Sequence, residues 1–193
     1  MRAARVEGHV EVVCGPMFAG KSEELVRRVR RAQLAGLDVE VVNHALDTRQ
    51  GTGRVVSHSG VSVASHVVAD VESLRALLQS RSPDLVAIDE AQFFGPVLVA
   101  VVDELAARGI TVIVAGLCVT FDGRPFEPLP SLMATAEVVT RLTAVCAVCG
   151  GDAALHQRVS TEPVGDALAS APQHVGGIET YQARCRHHLD GQR

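Results

Sequence analysis

The sequence predicts an α/β fold, a mostly parallel sheet flanked by helices, with a small C-terminal lobe. Three observations carry this. Short β-branched runs alternate with helix-period stretches from Val10 to Ala115. A glycine-rich turn, Gly15–Ser22, separates the first strand from the first helix. The composition changes near Val145, after which come two cysteine pairs or near-pairs, a Gly-Gly and many small polar residues.

Val10–Val13 reads as a short buried strand, and Ser22–Ala35 as a helix. That helix turns Leu25, Val26, Val29 and Leu34 inward, presents arginines outward and ends at Gly36. Asp38–Val42 is a second strand. Residues 43–60, with Gly51, Gly53 and Gly60, read as a flexible loop, and a short strand is expected within Val61–Val68. Asp70–Gln79 is a helix, Leu85–Ile88 a strand ending at Asp89, and Pro96–Ala107 a helix with proline near its start. Ile110–Ala115 is a further strand. The Ala/Pro/Gly/Ser-rich stretch 163–177 reads as a loop. The domain boundary is expected between 1–144 and 145–193.

With 193 residues the chain is long enough for one compact domain with an appendage. No apolar run reaches the roughly 18 residues of a membrane span, and no secretory signal is visible, so no membrane partner and a cytoplasmic location are expected. A net charge of −4 argues against wholesale nucleic-acid binding. An odd count of five cysteines favours thiols or metal ligands over a disulfide framework.

Lys21 is the sole lysine of a chain otherwise served by arginine. It lies in Gly15-Pro16-Met17-Phe18-Ala19-Gly20-Lys21-Ser22, which fits G-x-x-x-x-G-K-[ST] between a strand and a helix. The backbone N–H groups of such a loop can cradle phosphates, and the helix N-terminus adds positive potential. A compact ammonium reaches outer phosphates where a planar guanidinium cannot make the same contact. Ser22 offers a hydroxyl to Mg²⁺. The fold is therefore expected to be P-loop NTPase-like, with a nucleoside triphosphate and Mg²⁺ as ligands. The strand in Asp84-Leu-Val-Ala-Ile-Asp-Glu-Ala-Gln-Phe-Phe94 delivers Asp89 and Glu90 at its carboxyl end, where α/β proteins place ligands. Asp89 suits the metal's water shell and Glu90 the abstraction of a proton. These residues alone leave kinase and ATPase both open.

Cys146-Ala-Val-Cys149 and Cys185-Arg-His-His188 are two knuckles spaced for tetrahedral Zn²⁺. His187 competes for the fourth position, and the matching two-residue gap favours His188. Four protein ligands close the site, so the zinc is expected to be structural. Cys14 reads as a small buried apolar residue, and Cys118 finds no role. A non-enzymatic zinc-ribbon module that binds nucleic acid or protein is disfavoured, because residues 145–193 carry only Arg158, Arg184, Arg186 and Arg193 as fixed cations, with a single Tyr.

Together these residues resemble the thymidine kinase family of the type with a phosphate loop and a zinc lobe. The resemblance runs through GPMFAGKS, RRVRRAQLAG, DTR at 47–49, IDEAQFF, TVIVAGL, TFDGRPF, LMATAE, LTAVCAVCG, GGIETY and CRHH. It implies transfer of the γ-phosphoryl group of ATP to the 5′-hydroxyl of thymidine or deoxyuridine, in nucleotide salvage for DNA synthesis. Glu90 matches the general base. Gly15 to Ser22, Arg49, Asp89, Ala91 and Gln92 match residues near the phosphates and metal. Met17, Phe93, Leu117, Phe121, Phe126, His156, Val175, Gly176 and Tyr181 match residues around the nucleoside. A lid, here about 172–181 with Gly176-Gly177, is implied to close on the base. The resemblance also implies a homotetramer inhibited by the end-product triphosphate. Three positions depart from the family: Cys118 replaces an Asp, Asn43 a Lys, and His156 a small Thr beside the 5-substituent of the base. His58 reads as a solvated loop residue.

Overall fold

The computed structural model describes residues 8–47, 53–56, 60, 62–79, 81–159 and 180–189. In chain order, strand β1 (Val10–Cys14) leads to helix α1 (Lys21–Leu34), β2 (Val39–His44), and the short β3 (Arg54–Val56) and β4 (Ser62–Ala64). Then come β5 (His66–Val68), α2 (Val71–Gln79), β6 (Leu85–Ile88), a 3₁₀ turn at Ala91–Phe94, α3 (Leu98–Ala107) and β7 (Thr111–Gly116). Helix α4 (Leu129–Thr135) and β8 (Val138–Arg141) complete the main sheet. Short strands β9 (Ala144–Val145), β10 (Asp152–Ala153), β11 (Leu155–Arg158) and β12 (Tyr181–Arg184) follow, ending in a 3₁₀ turn at Arg186–His188.

Six strands form a parallel sheet in the order β5-β2-β6-β7-β1-β8. The order decides which face each helix covers. The step from β1 to β2 runs one way across the sheet, and the steps from β5 to β6 to β7 to β8 run the other way. Right-handed crossovers must then put α1 on one face and α2, α3 and α4 on the opposite face. The packing agrees. Leu25, Val26 and Val29 of α1 meet Val13, Val41, Ala87, Ile113 and Ala115. Leu74, Leu98, Val102 and Leu129 meet Val12, Val42, Val86, Ile88 and Val114. One register row, Val42–Ile88–Val114–Val12, crosses four strands on the latter face. Because both faces are covered, the central strands are continuous apolar runs without polar alternation.

Two expectations need correction. Leu34 does not turn inward; it is 89% exposed. At 3.6 residues per turn it lies about half a turn away from Leu25, on the solvent face. The stretch 43–60 is also not all loop, because Arg54–Val56 pairs antiparallel with Ser62–Ala64. Its β-branched Val55, with Val63 opposite, buries against the face that α1 covers. Helix α1 is tied down by Arg28, whose Nε donates to Glu24 at 2.8 Å and Nη2 to Thr140 Oγ1 at 2.8 Å, while Nη1 pairs with Glu11. This links the helix to β1 and β8.

Candidate active site and metal centre

The loop after β1 leaves the carboxyl edge of the sheet and starts α1. Gly20 has φ +83, a left-handed conformation that glycine takes without steric cost, and its carbonyl accepts the Glu24 N–H at 3.0 Å. Phe18 also adopts positive φ, +66, which is uncommon for a residue with a side chain. The first N–H groups of α1 have no intrahelical acceptor and face the loop mouth. Lys21 is buried at the first position of α1, and its Nζ donates to the Pro16 carbonyl at 2.7 Å. The ammonium therefore lies across the loop.

Beyond the end of β6, the Asp89 N–H donates to the Val42 carbonyl at 2.9 Å and holds the chain in line with the sheet. The Ser22 hydroxyl hydrogen-bonds the Asp89 carboxylate, and the Glu90 N–H donates to Asp89 Oδ1 at 3.0 Å. Burial, reinforced by the neighbouring Glu90 charge, pushes Asp89 up to about 7. Glu90 is buried and has φ +49, a costly conformation that concentrates at functional sites. Gln92, on the 3₁₀ turn, donates from Nε2 to Glu90 Oε2, and its Oε1 accepts the Leu117 N–H at 3.0 Å. Its amide thus bridges the end of β7 to the Glu90 carboxylate. Ala91 beside it is fully buried.

Gly116 makes that bridge fit. A Cβ there would lie 2.6 Å from Gln92 Oε1 and 2.9 Å from Leu129 Cδ2. Sequence reasoning missed Gly116 and the bridging role of Gln92. The available signal was a glycine closing the β-branched run Thr111–Ala115, which marks close approach of another group.

The aromatic ring contacts fall in two groups, one at the turn after β7 and one around His44. The turn after β7 is held by the Thr120 N–H donating to the Arg124 carbonyl at 2.8 Å and the Phe126 N–H donating to the Cys118 carbonyl at 3.2 Å. It brings Phe121 to Tyr181 of β12, with ring centroids 6.2 Å apart. Tyr181 meets His156 of β11 edge-to-face at 5.9 Å. Met17 and Phe126 are buried, and Leu117 is half-buried. Phe93 is buried and packs against His44 at 5.7 Å, with Phe94 on the same imidazole at 4.7 Å. Asn43 is buried and accepts a hydrogen bond from Ser65 at 3.1 Å. Arg49, His58, Val175, Gly176 and Gly177 lie outside the described residues, as does most of 172–181.

Cys14 and Cys118 hydrogen-bond each other beside the loop. That bond pushes the Cys14 thiol up and holds the Cys118 thiol down to about 6, helped by the positive charges of Arg141 and Lys21. Neither partnership was visible in the sequence, because the two residues meet only through the β1–β7 pairing.

One ligand atom from each of Cys146, Cys149, Cys185 and His188 lies within 4.8 Å of the other three. Cys149 Sγ is 3.9 Å from Cys185 Sγ, and His188 Nδ1 is 3.1 Å from Cys185 Sγ and 3.9 Å from Cys146 Sγ. Thiolates about 2.3 Å and a nitrogen about 2.0 Å from a tetrahedral ion stand roughly 3.5–3.8 Å apart, so the donor set and spacing fit zinc. Ala144, Cys146, Ala153 and Ala183 form a small cluster against which Phe18 and Ala19 of the glycine loop pack. Among the described residues no helix is long and apolar enough to cross a membrane.

A glycine loop opening a helix at the carboxyl edge of a parallel sheet, with hydroxyl and carboxylate joined beneath it, defines a phosphate-loop nucleotide-binding protein. The comparisons narrow this class. The thymidine kinase family profile matches residues 8–189. A thymidine kinase of Deinococcus deserti is 47% identical over 94% of this chain and 95% of its own length. Thymidine kinases of Bdellovibrio bacteriovorus and Halobacterium salinarum are each 45% identical, over 94% and 96% of this chain and 85% and 96% of their own. The chain belongs to the thymidine kinase family, a family of ATP-dependent nucleoside kinases.

Proposed function

We propose that this chain transfers the γ-phosphoryl group of ATP to the 5′-hydroxyl of thymidine or deoxyuridine, giving the monophosphate for salvage. The observation that carries this reading is Glu90. Its carboxylate is buried, held by Gln92 and adjacent to the Asp89 that Ser22 engages, which suits proton abstraction from a hydroxyl beside bound phosphates. Membership of the family supports a nucleoside as the owner of that hydroxyl.

In this reading the 1–144 unit binds ATP and 145–193 forms the zinc lobe and lid. The loop from Gly15 to Ser22, with Arg49, Asp89, Ala91 and Gln92 around it, holds the phosphates. Lys21 counters charge that develops on the transferred group, and Glu90 takes the hydroxyl proton. Ser22 and Asp89 offer hard oxygen donors suited to Mg²⁺, which when bound neutralises charge on the outer phosphates. Met17, Phe93, Leu117, Phe121, Phe126, His156, Val175, Gly176 and Tyr181 surround the nucleoside. The zinc held by Cys146, Cys149, Cys185 and His188 is structural. The enzyme is a cytoplasmic homotetramer inhibited by its end-product triphosphate.

The test is a panel of deoxynucleosides with ATP and Mg²⁺, scored for ADP and monophosphate. ADP release that depends on thymidine or deoxyuridine is expected. Equal ADP release without any nucleoside would assign the site to an ATPase and refute the reading.

A further inference from the structure

Two thiols beside the phosphate loop have no part in the site described above. Cys14 closes β1 and directly precedes Gly15, and Cys118 lies in the turn after β7. Val10, Val12 and Cys14 alternate onto one sheet face, and Cys118 packs against the cluster that they join. Strand pairing sets Cys14 opposite Gly116, two residues before Cys118, and the two thiols hydrogen-bond each other. Both are free of any disulfide. The pair is asymmetric. Cys14 is fully buried and Cys118 half-buried, so a dissolved oxidant meets Cys118 first. The bond from Cys14, with Arg141 and Lys21 nearby, holds Cys118 down to about 6, so it is a thiolate at neutral pH while Cys14 keeps its proton. An accessible thiolate with a second thiol beside it is the arrangement of a reactive cysteine and its resolving partner.

We infer that Cys14 and Cys118 form a reversible oxidation site, cross-linked by a hydroperoxide and reopened by a dithiol, and that the cross-link slows phosphoryl transfer. Its second half rests on the kinase reading above. In the first step the Cys118 sulfur attacks the hydroperoxide. The O–O bond breaks, the sulfur loses two electrons and becomes a sulfenic acid, and the peroxide is reduced to an alcohol or water. In the second step the Cys14 sulfur attacks the sulfenic sulfur. The S–S bond forms, the S–O bond breaks, and the hydroxyl leaves with the Cys14 proton as water. A dithiol reverses this: both cysteines return as thiols, and the dithiol becomes a disulfide.

The covalent bond draws the sulfurs closer than the hydrogen bond does. Cys14 is fixed, since β1 pairs with β7 on one side and β8 on the other, and its carbonyl accepts the Leu142 N–H at 2.8 Å. Cys118 therefore moves. It adjoins Leu117, whose N–H is held by the Gln92 amide that also grips Glu90. Oxidation at 118 thus reaches the Glu90 carboxylate through two hydrogen bonds.

The zinc-loaded protein, with and without hydrogen peroxide, is digested with its disulfides intact and mapped by mass spectrometry. Zinc content and thymidine-dependent turnover are read on the same samples. A peptide pair joined through Cys14 and Cys118 is expected, with zinc retained. Turnover is expected to fall at least about tenfold as the cross-link accumulates, given what roughly 1 Å of misplacement costs, and to return with dithiothreitol. Cys118→Ser should keep the unoxidised rate and lose the peroxide effect. Cys14→Ala should stop at the sulfenic acid, trapped on Cys118 by dimedone. Absence of the joined pair in the wild type, or loss of zinc before it forms, overturns the proposal, and neither readout needs a variant. A joined pair with unchanged turnover, or a Cys118→Ser protein inhibited as strongly as wild type, overturns it as well. A wild type inert on thymidine before oxidation overturns the kinase reading, and the mapped cross-link then decides the oxidation site alone.

Discussion

Replacing Gly116 with alanine tests the geometry of the acid pair without touching an acidic residue. The new Cβ would sit 2.6 Å from Gln92 Oε1, 2.9 Å from Leu129 Cδ2 and 3.2 Å from the Ala91 nitrogen. The leucine methyl can swing away, but the Ala91 backbone cannot. Gln92 can move only by giving up the Leu117 N–H, at 3.0 Å, and its grip on Glu90. Overpacking of a filled site costs about 1–3 kcal/mol, and a buried N–H left unpaired about 1–3 more. A total of about 3 kcal/mol would lower Tm by roughly 6–12 °C in a chain of this size. Turnover should fall further than stability implies, since misplacing a reacting group by about 1 Å costs on the order of a hundredfold. The assay is a double-mutant cycle with Gln92→Ala, read by thermal melting and by steady-state kinetics. Shortening residue 92 removes the worst clash, so the alanine at 116 should cost at least 1 kcal/mol less in that background, within the coupling of contacting residues. Full stability and turnover in Gly116→Ala, or strict additivity of the two changes, would refute the clamp.

Glu90→Gln should retain ATP binding, measured by calorimetry, and lose about 10²–10⁴ in kcat, the usual worth of a general base; near-normal turnover removes Glu90 from that role. Chelating zinc, or replacing Cys149 with alanine, should release the metal and lower Tm, read by metal analysis and melting; an unchanged Tm after verified metal loss contradicts a structural site. The Cys118 thiol, held down to about 6, is a thiolate above that pH and protonated below it. Its alkylation by iodoacetamide in the zinc-loaded protein should therefore rise through pH 6 and level off by pH 7–8, and Cys118→Ser should abolish that phase. A rise delayed to about pH 8.5, as for a free thiol, would show that Cys14 and the nearby cations do not act on it.

What the sequence discloses and what it conceals follow from the same physics. Leu85–Ile88 is legible to the residue, because a strand buried on both faces is an unbroken apolar run between turn signals. The glycine loop and the acid pair are legible because their chemistry is local: each needs particular residues within a few positions. Helix α4 and strand β8 are not, since α4 is only seven residues long and Val138 and Val139 of β8 are both substantially exposed, erasing the alternation that marks a strand. The strands β9 to β12 are two to four residues each and lie around the Cys/His group rather than around a large apolar core. Leu34 misleads because a leucine near a helix end reads as inward until the angular count is made. The Gln92 bridge is out of reach of any local reading, since its partner Leu117 is 25 residues distant and adjacent only through the β6–β7 pairing.

Phe18 and Ala19 rest on the cluster that contains Cys146. One flank of the glycine loop is therefore built against the Cys/His knuckle. Were loss of a metal at the knuckle to slacken that loop, thermodynamic reciprocity would require a nucleotide seated in the loop to tighten the hold on the metal. Supply of a trace element and affinity for a fuel molecule would then be two readings of a single free energy.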